Sequence, residues 1–78
     1  MEFCVGMIVR AKAGRDKNGF FIRTSVENDM AYIADGKRRK VENPKKKKLI
    51  HLAATNSTAK DFDTNRKVRK ILSEFQDN

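Results

Sequence analysis

The sequence has one cysteine, one histidine, one proline and no tryptophan among its 78 residues. A single cysteine, Cys4, cannot form an internal disulfide, and one cysteine with one histidine does not provide the ligands of a structural zinc site. A lone thiol in a short chain is more typical of a reducing compartment than of a secreted disulfide scaffold. The composition therefore excludes the disulfide and metal supports that small domains often use.

Long apolar runs are missing as well. The apolar stretch near the N-terminus ends at Arg10, which makes it too short for the core of a signal peptide or for a membrane span. The acidic residue Glu2 also lies where a signal peptide would carry positive charge. We therefore predict a soluble, cytoplasmic protein that makes no contact with a membrane.

The sequence contains no recognisable set of catalytic residues. There is no Ser/His/Asp, Cys/His or paired-carboxylate arrangement, and no glycine-rich nucleotide-binding loop. His51 lies among apolar residues, which favours a structural role over that of a ligand or base. We therefore predict that the protein is not an enzyme, has no cofactor or metal, and takes no small-molecule substrate.

Positive charge is abundant and concentrated in one short window. The chain has 18 Lys and Arg against 10 Asp and Glu, for a formal net charge of +8. Residues 37 to 48 contain eight basic residues and one acidic residue, so +7 of that charge lies there. Clustered positive charge of this size is typical of proteins that bind nucleic acid. The basic residues of the window are Lys37, Arg38, Arg39, Lys40, Lys45, Lys46, Lys47 and Lys48.

The first two thirds of the chain alternate apolar and polar residues with the period of β-strands. Asp35-Gly36 has the composition of a type I′ hairpin turn, and Asn43-Pro44 is expected to end a strand because proline has no amide hydrogen. We predict five strands, which cover residues 5–11, 20–26, 30–34, 37–42 and 49–53.

The alternation makes the predicted sheet apolar on both faces. We expect Val5, Met7, Val9 and Ala11 on one face, and Phe20, Ile22 and Val26 to form a single face of the second strand. We expect Ile8, Phe21, Met30 and Tyr32 on the opposite face. A sheet that is apolar on both sides needs cover on both sides. The simplest solution is a curled five-stranded sheet with its own core and a helix packed outside it.

The C-terminal segment has the pattern of that helix. Residues 54 to 60 are rich in Thr, Asn and Ser and predict a turn, after which Asp63 or Thr64 is a suitable N-cap. An apolar stripe follows at helical spacing, which predicts a helix of about ten to twelve residues. We therefore divide the chain into a β-domain over residues 1–53 and a linker with a helix, packed on the same domain, over 54–78. The stripe consists of Val68, Ile71, Leu72 and Phe75.

Two segments resemble a known family. Val5 to Ile22 alternates around a central glycine, Gly14, and resembles a KOW motif, a strand–loop–strand unit of ribosomal proteins and transcription-elongation factors. Ala34 to Leu52 is similar to small bacterial KOW-domain RNA-binding proteins and to KOW ribosomal proteins of the archaeal and eukaryotic large subunit. Asn18 departs from the glycine of many relatives, but asparagine tolerates left-handed backbone. The resemblance implies an SH3-like five-stranded barrel and RNA binding.

The candidate RNA-binding residues are the basic cluster 37–48 and the two basic residues of the glycine loop, Arg15 and Lys17. A glycine loop allows close approach to phosphate oxygens, and long basic side chains can follow a backbone over several nucleotides. The alternative reading is a solvated edge strand, because lysines also prevent unwanted strand pairing. We expect contact with the phosphate backbone of ribosomal or another structured RNA, with the ribosome itself as a possible partner.

The sequence is also compatible with other interpretations. The same charge would serve a protein that binds double-stranded DNA or the nucleoid, or a protein-interaction module with an acidic partner. Phe21 or Tyr32 could stack on a base, although packing in a core is the commoner role. The basic face of the helix is either an ordinary solvated face or a secondary RNA contact. Its members are Arg66, Lys67, Arg69 and Lys70.

Overall fold

A computed structural model describes residues 5–15 and 17–76 of the chain. Within those residues it contains five antiparallel strands in one sheet and one C-terminal α-helix, which confirms the prediction of a mainly β fold with a helix after it. The elements are β1 (Met7–Ala11), β2 (Phe20–Glu27), β3 (Met30–Ala34), β4 (Lys45–Lys48), a 3-10 turn (Leu49–His51), β5 (Leu52–Thr58) and α1 (Asn65–Gln76).

The sheet has the strand order β4-β3-β2-β1-β5, so β4 and β5 are its two edges. No ladder joins these edges within the described part of the chain. The 3-10 turn between them spans the sheet instead: the Leu49 amide donates to the Asp29 carbonyl at 2.9 Å, and the Lys12 amide donates to the His51 carbonyl at 2.8 Å. The turn therefore links the β2–β3 connection to the end of β1.

One face of the sheet, called the inner face here, carries its own core. Leu52 of β5 lies in the same buried cluster as Ile33 of β3, which requires the sheet to curl around this face. Phe21 also belongs to it, because it is paired in register with Val9 and is only 3% exposed. The prediction that Phe21 lies on the opposite face is therefore wrong. The cluster consists of Val9, Ala11, Phe21, Ala31, Ile33 and Leu52.

A β-bulge in β2 explains why this strand contributes apolar residues to both faces of the sheet. Arg23 is paired with Ile33, whereas Ser25 is paired with the preceding residue of β3, so Thr24 is an extra residue in the ladder. An extra residue reverses the alternation of faces beyond it. Ile22 accordingly packs on the outer face and Val26 on the inner face. The predicted common face for these two residues is wrong.

The predicted fourth strand over residues 37–42 is a structured loop. Asp35 Oδ1 accepts hydrogen bonds from the Lys37 amide at 2.9 Å and the Arg39 amide at 3.0 Å. The Arg39 carbonyl accepts from the Asp35 amide at 2.8 Å and the Gly36 amide at 3.1 Å. Because these backbone groups are paired within the loop, they are not available for a ladder. A two-residue type I′ turn at Asp35-Gly36 is also absent, since only Gly36 of the pair has positive φ.

The fourth strand instead begins after Pro44, where proline is compatible with a strand because the ladder starts at the next residue. The expected strand over residues 49–53 is also displaced. Its first part is the 3-10 turn, and β5 continues to Thr58 through residues predicted to form a turn. A shift of register in the β1–β5 ladder accommodates this strand, where Thr55 Oγ1 donates to the Ile8 carbonyl at 2.6 Å. The proposed division after residue 53 lies inside β5.

The predicted C-terminal helix is confirmed. Thr64 is its N-cap, since its Oγ1 accepts from the Lys67 amide at 3.2 Å. Val68 and Leu72 are buried against Ile8 and other apolar residues of the outer face. Ile71 and Phe75 are half-buried at the edge of this second cluster. Among the residues described, no helix is long and apolar enough to cross a membrane.

Candidate nucleic-acid interface

Antiparallel pairing brings the two basic loops to one end of the sheet. The β1–β2 loop (residues 12–19) and the β3–β4 loop (residues 35–44) both lie at the end where β1 and β3 finish and where β2 and β4 begin. We call these two loops the basic end. Arg39 is half-buried there, and the other predicted RNA-binding residues of the two loops are exposed: Arg15, Lys17, Lys37, Arg38 and Lys40.

The β1–β2 loop has a defined backbone conformation. Gly14 and Asn18 both have positive φ, at 80° and 72°. The Asn18 amide donates to the Ala11 carbonyl at 2.7 Å, and its Oδ1 accepts from Arg10 Nη1 at 3.0 Å. The prediction that asparagine would adopt left-handed backbone here is confirmed. Asp16, in the middle of this loop, lies outside the described residues.

The lysines of β4 divide between two environments. Lys45 and Lys47 are half-buried, whereas Lys46 and Lys48 are exposed. Lys47 is paired in register with Ala31 and therefore lies on the inner face. Two of the four candidate lysines of this strand therefore point inward, and only the outward pair is fully available to a ligand.

Lys47 has a structural contact that joins β4 to the basic end. Its Nζ donates to the Ala13 carbonyl at 2.9 Å. A Cβ placed on Gly14 would lie 3.3 Å from the same Nζ, so glycine allows the lysine to pass close to the loop backbone. The contact holds the loop that carries Arg15 and Lys17 against the far edge strand.

Replacement of Lys47 with Gln is expected to lower the free energy of unfolding by about 1–2 kcal/mol, because a hydrogen bond from a charged donor is lost. Lys48→Gln removes the same charge from an exposed position and is expected to change stability by no more than about 0.5 kcal/mol. Urea denaturation of the two variants measures the difference. Equal stabilities would contradict a structural role for Lys47.

The β3–β4 loop is attached to the start and middle of α1. Arg69 Nη1 donates to the Gly36 carbonyl at 2.8 Å. Asn65 accepts from the Val41 amide at 2.8 Å through Oδ1 and donates to Glu42 at 2.8 Å through Nδ2. This last hydrogen bond lowers the pKa of the Glu42 carboxyl group. The helix therefore holds the loop in place, and the role of Arg69 in this was not predicted from the sequence.

Carboxylates offset part of the positive charge on α1. Lys67 Nζ lies 2.9 Å from Asp61 Oδ2 and 3.1 Å from Asp63 Oδ1. The hydrogen bonds that Lys67 donates to these two carboxylates raise the pKa of Lys67, and the bond from Lys67 lowers the pKa of the Asp63 carboxyl group. Lys67 is therefore ion-paired, while Arg66 and Lys70 are exposed on the same helix.

Of the other acidic residues that the structure describes in the sheet and its loops, two lie away from the basic end and one is hydrogen-bonded within it. Glu27 and Asp29 lie at the opposite end, at the β2–β3 turn. Asp35 lies in the basic end but accepts hydrogen bonds from loop amides. Five exposed basic side chains therefore lie at the basic end, while Lys48 lies toward the opposite end, where it is paired with Met30.

The two aromatic candidates have different environments. Phe21 is 3% exposed in the inner core and cannot stack on a base. Tyr32 is half-buried on the outer face, and Lys46 Nζ lies 5.9 Å from the centre of its ring. The pairing of Tyr32 with Lys46 depends on the position of β4, which sequence reasoning did not locate.

Within the described ranges, no group of three His, Cys, Asp or Glu residues is arranged to hold a metal ion. Comparison with known proteins gives no match to a family model and none to a curated protein sequence.

Proposed function

We propose that this chain is a non-catalytic RNA-binding module that contacts the phosphate backbone of ribosomal or another structured RNA. The observation that carries this proposal is the grouping of five exposed Lys and Arg side chains from two separate loops at one end of the sheet. Phosphate contacts by such side chains supply most of the affinity and fix orientation without reading sequence. The proposal includes a cytoplasmic location and the ribosome as a possible partner.

We further propose that the sheet is an SH3-like barrel of the KOW type. Two features support this: the sheet curls around the inner core, and β4 is tied to the β1–β2 loop by the hydrogen bond from Lys47 to the Ala13 carbonyl. The 3-10 turn adds a second link across the sheet through Leu49 and His51. The left-handed backbone at Gly14 and Asn18 agrees with the loop of the KOW resemblance.

Competition at fixed salt tests the function. We expect an RNA hairpin with an unpaired loop to displace labelled RNA at a concentration at least about tenfold lower than duplex DNA of equal charge, measured by fluorescence anisotropy. We expect the preference because the shape of a structured RNA decides how its phosphates meet the basic end. Phosphate charge alone would make the two competitors similar.

Two outcomes would overturn the proposal. Equal or tighter binding of duplex DNA would favour a DNA-binding or nucleoid-associated function. Absence of binding to either nucleic acid, with retention of an acidic protein after nuclease treatment of a cell extract, would favour a protein-interaction module.

A further inference from the structure

Tyr32 lies on a part of the outer face that α1 does not occupy. The helix packs on Ile8 of β1 and Ile22 of β2, whereas Tyr32 lies on β3, beside the edge strand. Tyr32 is paired in register with Lys46, and both side chains therefore project from the outer face. The aromatic ring is partly exposed next to a cation, at about 7 Å along the strand from the basic end.

The hydroxyl end of Tyr32 and its ring each have a contact within the protein. The Tyr32 hydroxyl donates to Glu27 Oε1 at 3.4 Å, on the side of the ring away from the basic end. Lys46 Nζ lies over the ring at 5.9 Å, and Lys46 is exposed. A long exposed lysine can move from the ring to a nearby phosphate, which leaves an aromatic face open to another planar group.

We propose that Tyr32 is a stacking site for one unpaired base of the bound RNA, with Lys46 and Lys48 on the adjoining phosphates. This inference rests on the proposed RNA-binding function and names the feature of the RNA that this part of the surface takes. Base–aromatic stacking combined with a basic groove is the general way in which proteins hold single-stranded nucleic acid.

Replacement of Lys46 by an RNA base on the Tyr32 ring is expected to be favourable. An exposed cation–π contact, such as that of Lys46 with Tyr32, corresponds to about a 2- to 5-fold effect on an equilibrium. Stacking of a base on an aromatic side chain corresponds to about 5- to 150-fold. The displaced lysine gains a phosphate contact at the same time, so stacking is expected to replace the internal contact once RNA binds.

The composition of the chain provides a direct probe of this site. Tyr32 is the single tyrosine, and there is no tryptophan, so the intrinsic tyrosine fluorescence of the protein comes from Tyr32 alone. Titration with a single-stranded RNA oligonucleotide is expected to quench this fluorescence. An abasic oligonucleotide with the same number of phosphates carries the charge without the bases and is expected to bind more weakly and to leave the fluorescence largely unchanged.

Two substitutions separate the ring from the hydroxyl group. Tyr32→Leu keeps apolar bulk but removes the aromatic face, and we expect it to weaken binding of single-stranded RNA by about 5- to 50-fold with an unchanged salt dependence. Tyr32→Phe loses only the hydrogen bond to Glu27 and is expected to bind within about twofold of the natural protein. Thermal unfolding of both variants checks that they are folded.

The outcomes distinguish this inference from the proposed function. If Tyr32→Leu binds RNA normally and RNA causes no quenching, while neutralisation of the basic end abolishes binding, the stacking site is wrong and the RNA-binding function stands. If the natural protein does not bind RNA, the proposed function fails. If neutralisation of the basic end leaves RNA binding unchanged, the assignment of the phosphate contacts to the basic end fails. Equal quenching by the abasic oligonucleotide would show a charge effect instead of stacking and would overturn the inference.

Discussion

Replacement of Lys37, Arg38 and Lys40 together with Gln is expected to weaken RNA binding by roughly two orders of magnitude at 0.1 M salt. Each phosphate contact made by a basic side chain contributes about 0.7–0.9 to the slope of log K against log salt, because counterions are released from the nucleic acid. Loss of three contacts is therefore expected to reduce the slope by about 2–2.7. Filter binding or fluorescence anisotropy at salt concentrations from about 0.05 to 0.2 M measures the affinity and the salt slope.

The helix offers a charge-matched control. Lys60, Arg66 and Lys70 are exposed on and just before α1, and their replacement with Gln removes the same three charges from outside the basic end. We expect this second variant to keep most of the affinity and nearly all of the salt slope. If the helix variant loses as much RNA affinity as the loop variant, long-range charge governs binding. If only the helix variant loses affinity, the RNA site lies on the helix. Either result would contradict the assignment to the basic end.

The loop variant is also expected to fold normally. Lys37, Arg38 and Lys40 are exposed, and the groups that hold the loop are Asp35, Asn65 and the Gly36 carbonyl. None of these is altered, so a change of stability above about 0.5 kcal/mol is not expected. The four lysines of β4 are less suitable for this test, because two of them are half-buried.

Local patterns in the sequence were sufficient to locate the strands and the helix whose apolar residues are periodic. β1, β3 and α1 have alternating or helical spacing, and Thr64 provides a local cap, so each can be located from nearby residues alone. The strand β4 has four lysines and no apolar residue. β4 forms a strand because it pairs with β3. This pairing is a nonlocal interaction, which a short window of sequence does not contain.

Nonlocal interactions also determine which side chains are available at the candidate site. The basic residues at 37–40 and 45–48 are similar by composition. The first group nevertheless lies in a loop held by Asp35, and the second alternates between two faces of the sheet. Phe21 and Tyr32 were also equivalent candidates. The register with Val9 buries the first, whereas the second is only half-buried because α1 packs farther along the outer face. Charge and its clustering were predictable, but the direction of each side chain was not.

Leu72→Ala is expected to be the most destabilising of the changes considered, at about 2–5 kcal/mol. Leu72 is 4% exposed and packs with Ile8, Ile22 and Val68, so truncation leaves a cavity between α1 and the sheet. A domain of this size has only about 4–12 kcal/mol of stability in total. The variant is therefore expected to unfold roughly 10–20 °C or more below the natural protein in a circular dichroism melt. Ser73→Ala, at the next and exposed position of the same helix, is the matched control and is expected to stay within about 0.5 kcal/mol.

The position of the helix also connects this change to the proposed RNA site. The Val41 amide donates to Asn65 of α1, so its hydrogen exchange reports whether the β3–β4 loop is still attached to the helix. We expect Leu72→Ala to accelerate exchange at Val41 more than at core amides of β2, and to weaken RNA binding although every basic side chain is retained. Normal stability and unchanged exchange at Val41 would mean that α1 does not pack on the sheet. Loss of stability with full RNA affinity would instead mean that the loop keeps its binding conformation without the helix.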